Sequence, residues 1–286
     1  MYKKVKWLTI LAIAAASTCI FSIGFAYSLS ITNSSVNESN IKNNSENTEN
    51  TENKTEEVIN QLDANSYNVL VMGDSLAKGT GDENNEGFAG GFVKLWKAKT
   101  SKPLRVTNIA VNGDTSSGLL NVVHSAQTLE YIQNSSIIFI SIGGNEIKNF
   151  KSVDISSVDS SLSESKESTS SPADNVKSVE NQYLNNLESI FKSIRSKNQN
   201  CIIVFIGLYN PFGSDITPDK VELLNNWNYK TDELVSSDNN GVYVPTYDLF
   251  KYNTQSYLAP DNFHPNAAGY DAISKRIFEV LKNYKN

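Results

Sequence analysis

Residues 66–286 predict an α/β fold: a three-layer α/β/α sandwich around a central, mainly parallel five-stranded sheet. Two observations carry this expectation. Short apolar runs alternate with longer amphipathic stretches along the whole segment, as in chains whose helices cover both faces of a sheet. Several of the runs are unbroken Ile, Val, Leu and Phe, the pattern of parallel strands buried on both sides. Strands are expected at 68–72, 105–110, 137–142, 202–207 and 242–244, and helices at 88–99, 116–133, 176–197, 220–236 and 266–283. In the fourth helix Leu223, Trp227 and Leu234 share one face. In the fifth, Ala268, Ile273, Ile277, Val280 and Leu281 lie mainly on one stripe, the spacing of an amphipathic helix.

The chain ahead of this body has a different composition. Lys3, Lys4 and Lys6 precede an apolar run from Trp7 to about Ile31, the layout of an export segment. Two fates stay open for residues 1–31. Gly24-Phe25-Ala26 offers the small residues of a cleaved signal peptide, and the run is also long enough to remain as a membrane anchor. Cys19 follows Thr18, which makes a poor lipobox. Residues 32–65 are rich in Asn, Glu, Ser and Thr and cannot bury enough surface to offset ordering entropy, so they read as a disordered polar linker. The expected location is extracytoplasmic, either membrane-anchored or secreted.

Charge and cysteines narrow the function. The net charge of −6 is concentrated outside the body, because residues 32–65 hold seven acids against two lysines and residues 151–175 five against two. A nearly neutral body argues against nucleic acid as partner. Cys19 and Cys201 do not make a disulfide framework, and Cys201, at the head of an apolar run, reads as core packing. Residues 151–175, rich in serine and acids with Pro172 near the end, interrupt the alternation and read as an exposed insertion. They follow Gly143-Gly144-Asn145-Glu146 closely enough to overhang that turn.

Three strands end in short glycine or polar turns: Gly73-Asp74-Ser75, Asn112-Gly113-Asp114-Thr115 and Gly143-Gly144-Asn145. Parallel strands bring such turns to one carboxyl edge, where ligands bind in open α/β sheets. Ser75 would be exposed at the apex of the first turn. A serine hydroxyl is a poor nucleophile unless a histidine serves as base and an acid orients that histidine. The chain has two histidines, and His264 lies in Asp261-Asn262-Phe263-His264-Pro265, three residues after a carboxylate. Acyl transfer also needs fixed donors for the charge that develops on the carbonyl oxygen. The backbone N–H groups of Ser75 and Gly113 and the side-chain amide of Asn145 can supply three.

These stretches resemble the four blocks of the SGNH, or GDSL, hydrolase family. Gly73-Asp74-Ser75-Leu76-Ala77-Lys78-Gly79 is similar to the first block, and the resemblance implies Ser75 as nucleophile. Asn108-Ile109-Ala110-Val111-Asn112-Gly113 is similar to the second and implies Gly113. Gly143-Gly144-Asn145 implies Asn145, and Asp261-Asn262-Phe263-His264-Pro265-Asn266 with Gly269-Tyr270 implies Asp261 and His264. The resemblance runs from residue 67 to about 281. It implies a flavodoxin-like sheet and hydrolysis of carboxylic esters through an acyl-serine, with no cofactor or metal. Family members include lipases, aryl esterases, thioesterases and carbohydrate deacetylases, so small-molecule, lipid and glycan esters all remain open as substrates. Glu146 departs from the family, which usually has Asp there.

Other readings of these residues are weaker. The G-x-S-x-G elbow of α/β-hydrolases is missing its second glycine. Asp82-Glu83-Asn84-Asn85-Glu86-Gly87 has Val93 where a calcium loop needs a bidentate acid, so it reads as a polar loop. His124 is expected mid-helix and partly exposed, Asp74 as a brace of its turn, and Asp248 as a fallback orienting acid. The rival from another class is a non-catalytic binding or scaffolding protein of the cell envelope on the same fold.

Overall fold

The computed structural model describes residues 66–148, 172–210 and 216–282. The expected leader 1–31, the linker 32–65 and residues 151–171 of the insertion lie outside the described residues. Among the described residues, no helix is long and apolar enough to cross a membrane.

Five parallel strands run β1 (Tyr67–Gly73), β2 (Leu104–Asn108), β3 (Ile137–Ser141), β4 (Ile202–Ile206) and β5 (Gly241–Val244), in the spatial order β2-β1-β3-β4-β5. The order reverses beside β1, which puts a crevice between the carboxyl ends of β1 and β3, the usual ligand position in doubly wound sheets. Register fixes which turns meet there: Val71 lies opposite both Asn108 and Phe139, and Gly73 lies opposite Ser141.

The strand period of two divides the core into two layers. Leu70, Met72, Ile138, Ile140, Ile203 and Phe205 point to one face. That face is covered by α3 (Ser116–Val123), α4 (Ala126–Gln133), α6 (Pro172–Lys197) and α7 (Pro218–Ser236). On it, Tyr183 of α6 packs on Trp227 of α7 with ring centroids 4.7 Å apart. Val69, Val71, Ile137, Phe139, Val204 and Ile206 point the other way, beneath α2 (Gly87–Lys97) and α10 (Ala267–Lys282). There Phe139 receives Phe88 and Phe92 edge-on at 5.8 and 5.3 Å. Each such buried ring contributes about 1.5–3 kcal/mol, so these rings hold α2 firmly against β3.

The structure corrects the sequence expectations in several places. The helix expected over 116–133 is two helices. His124 ends α3, and the Ser125 side chain accepts from the Thr128 N–H to start α4. His124 is therefore at a helix end, exposed, with Nε2 3.1 Å from Ser193 Oγ. The helix expected from residue 176 begins earlier, at Pro172, where a proline suits a helix start. β2 is not buried on both sides: Arg105, Val106, Thr107 and Asn108 are exposed. The strand order explains this, since among the described residues β2 is an edge strand paired with β1 alone. Strict strand–helix alternation fails as well, through the short helices α1 (Ser75–Lys78), α5 (Gly144–Lys148), α8 (Tyr247–Lys251) and α9 (Thr254–Tyr257).

Candidate active site

Ser75 opens the single-turn helix α1. The helix starts where it does because Asp74 is an N-cap, its Oδ1 accepting from Leu76 N–H at 3.0 Å. It stops at Gly79, which is left-handed at φ 90°. Asp74 is itself buried and also accepts from Ser141 Oγ at 3.1 Å. Burial pushes its carboxyl up to about 7 despite these hydrogen bonds. Its bracing role matches the sequence expectation, while the displaced pKa could not be read from sequence.

The shift has a consequence for stability. The native pKa lies above the unfolded value of 3.8, so between roughly pH 4 and 7 the folded chain keeps a proton that the unfolded chain has released. Stability from this group therefore falls as pH rises through that window and levels off above it. In Asp74→Asn, which cannot titrate, the contribution disappears. The stability difference between wild type and variant, measured by urea unfolding, should decline by up to about 4 kcal/mol from pH 4 to 7 and then stay constant. A difference independent of pH would contradict the buried acid.

His264 arrives from the far end of the chain. Its Nε2 lies 2.9 Å from Ser75 Oγ, and its Nδ1 lies 2.6 Å from Asp261 Oδ2. A carboxylate only accepts, so Nδ1 donates to Asp261, and the tautomer this selects leaves Nε2 as acceptor toward the Ser75 hydroxyl. Burial alone would raise the Asp261 pKa, but hydrogen bonds from His264 Nδ1 and from the His264 and Phe263 N–H groups outweigh it and hold the acid below the usual range. The turn that allows this contains Asn262 in a left-handed conformation at φ 53°, which asparagine tolerates better than most residues. Three contacts pin the segment to the α1–α2 loop. Glu83 Oε2 accepts from Ala267 N–H at 2.8 Å, Tyr270 OH donates to Thr80 O at 2.8 Å, and Gly81 lies so close that a Cβ there would sit 2.8 Å from His264 Cβ. Asp82, in the same loop, accepts from the backbone of Asn84, Glu86 and Gly87, in keeping with a polar loop.

The remaining expected residues sit around the same edge. Asn145, at the start of α5, lines a recess against Ser75 together with Leu76, Gly144, Leu208, Tyr209 and Phe263. Its Nδ2 donates to Asp114 O at 2.7 Å, which uses one of two amide hydrogens and leaves the other. Gly113 does not line the recess. It occupies a turn closed by Asp114 N–H to Val111 O, at φ 78°, and that turn is fastened to Asn145 through Asp114 and to Thr80 through Asn112. Asp248 is not the orienting acid: both its oxygens pair with Arg276, at 3.0 and 2.6 Å.

Glu146, the residue that departs from the family, links two elements. Its Oε1 accepts from Ser116 N–H at 2.6 Å, tying the turn after β3 to the first residue of α3, while Oε2 has no hydrogen-bond partner among the described residues. Burial and the nearby Asp114 push this acid up, against the bonds it accepts from Ser116. Sequence reasoning missed Leu208, Tyr209 and Phe263 as recess walls. Leu208 and Tyr209 follow β4, and only the position of β4 beside β3 could have pointed to them.

A hydroxyl, an imidazole and a carboxylate in one line of hydrogen bonds at the switch point of a doubly wound sheet is an arrangement suited to nucleophilic hydrolysis. Residues 69–277 match the GDSL-like lipase/acylhydrolase family, and the chain belongs to that family. Two relatives from bacilli are each 27% identical to it. An uncharacterized protein, YpmR, of Bacillus subtilis matches over 75% of this chain and 81% of its own length. The spore germination lipase LipC of Bacillus licheniformis matches over 72% and 92%. Among solved structures, a lipase from a goat rumen metagenome shares the fold with a TM-score of 0.62 at 21% identity, covering 75% of this chain and 97% of its own. The lipase/acylhydrolase of Enterococcus faecalis does so with a TM-score of 0.54 at 17% identity, over 76% and 95%.

Proposed function

We propose that this chain hydrolyses carboxylic esters through an acyl-serine intermediate. The observation that carries the reading is the hydrogen-bonded line from Asp261 Oδ2 through His264 to Ser75 Oγ, at 2.6 and 2.9 Å. His264 Nε2 takes the hydroxyl proton as Ser75 Oγ attacks the ester carbonyl. The charge that collects on the carbonyl oxygen falls to the N–H groups of Ser75 and Gly113 and to Asn145 Nδ2. His264 then gives its proton to the departing alcohol, and water, deprotonated by the same nitrogen, releases the acid and restores the serine. Asp261 keeps the ring in the required tautomer and stabilises the imidazolium. These steps call for neither cofactor nor metal.

The lysine-flanked apolar run at residues 7–31 supports an extracytoplasmic setting, anchored or secreted. Lipid and glycan esters of the envelope are the substrates such a setting offers. A fluorophosphonate probe tests the chemistry: the full-length protein should take the label on Ser75, and Ser75→Ala should take none. An unlabelled wild type, or an equally labelled variant, would leave a binding protein on this fold as the better account.

A further inference from the structure

We infer that the acyl side of this site admits an acetyl group and little more, and that Leu208 sets the limit. The inference rests on the ester-hydrolase reading and names its acyl substrate. A carbonyl carbon bonded to Ser75 Oγ, with its oxygen turned to Asn145 Nδ2, has two substituents left to place. The leaving alcohol must face His264, which protonates it. The acyl substituent is thereby directed into the recess lined by Leu76, Gly144, Leu208, Tyr209 and Phe263.

That recess is small. It holds about 20 Å³, against about 220 to 600 Å³ for the grooves along α7 and beside α8 and α9. The methyl of an acetyl ester is the smallest alkyl substituent it can be asked to take, and each further methylene is driven toward the Leu208 and Tyr209 wall. The lining is mainly apolar, which suits a methyl better than a charged or hydroxylated acyl group.

The wall is also braced. One side-chain amide holds Leu208 at both backbone groups: Leu208 N–H donates to Asn228 Oδ1 at 2.9 Å, and Asn228 Nδ2 donates to Leu208 O at 2.8 Å. Tyr209 OH donates to Phe263 O at 2.6 Å, and its ring stacks on Phe250 at 4.4 Å. Leu208 and Tyr209 are both buried, so neither can swing into solvent to lengthen the recess. Across from Leu208 stands Gly144, where a Cβ would lie 4.0 Å from Leu208 Cδ2. The width therefore depends on one leucine side chain held against a glycine.

The test is a ladder of p-nitrophenyl esters, acetate, butyrate, hexanoate and octanoate, with the full-length protein. We expect kcat/KM to fall at least ten-fold from acetate to hexanoate. Leu208→Ala should reduce that acetate-to-hexanoate ratio ten-fold or more, and Leu208→Val should move it the same way by less, which serves if the alanine variant does not fold. A wild type that turns over hexanoate as well as acetate would overturn the inference, as would a folded variant with an unchanged ratio, while the hydrolase reading stood. No turnover of any ester together with no fluorophosphonate labelling would overturn the hydrolase reading and this inference with it.

Discussion

His264→Gln is expected to lower kcat for p-nitrophenyl acetate by about 10⁴-fold or more, with the fold intact. Glutamine can still hydrogen-bond near Ser75, but it has no nitrogen able to take a proton at neutral pH. The serine hydroxyl would then be left at its ordinary, weakly nucleophilic state. The loss should appear in kcat rather than KM, because in the proposed mechanism the imidazole moves a proton in the transition state and does not hold the ground-state ester. Structural damage should be small: the backbone of residue 264 stays fixed by Asp261 Oδ1 and by its carbonyl accepting from Ala259 N–H. Asp261→Asn should cost about 10⁴-fold by a different route, since an amide in place of Oδ2 permits the wrong tautomer. Steady-state kinetics with thermal melting as the folding control decides the matter. A His264→Gln variant within ten-fold of wild type would mean that another group takes the serine proton.

Much of this site could be read in the sequence because its motifs are local. Gly73-Asp74-Ser75 carries its own turn, its cap and the serine that the proposed reaction uses, and Asp261 reaches His264 across a single turn. What could not be read depends on which strand lies beside which. β2, with Arg105, Thr107 and Asn108, is more polar than the other strands, but only the strand order shows that it lies at an edge. Leu208 becomes a recess wall through an amide twenty residues on, and Glu146 braces a helix that begins thirty residues earlier. The break at His124 is a different case. Ser125 is a good capping residue, but apolar spacing continues past it and hides the signal.

Gly73→Ala is expected to destabilise the domain by about 3–6 kcal/mol, enough to leave much of it unfolded. Two costs combine at this position. Gly73 has φ 125°, where a side chain is strained, and a Cβ there would lie 1.9 Å from Ser141 O. That oxygen cannot retreat freely, because it accepts from Asp74 N–H at 2.9 Å, and Gly73 O in turn accepts from Val111 N–H at 2.9 Å. Relief of the clash must therefore pull β1 from β3 at the point where Ser75 is delivered. Gly113→Ala separates the two costs. Its φ is also positive, at 78°, but no atom lies within 4 Å of an added Cβ, so only the conformational penalty of about 1–2 kcal/mol applies. Urea unfolding of both variants should show the larger loss at residue 73 by at least about 2 kcal/mol. Equal losses would mean that backbone conformation alone demands glycine after β1, and that the close approach to β3 contributes nothing.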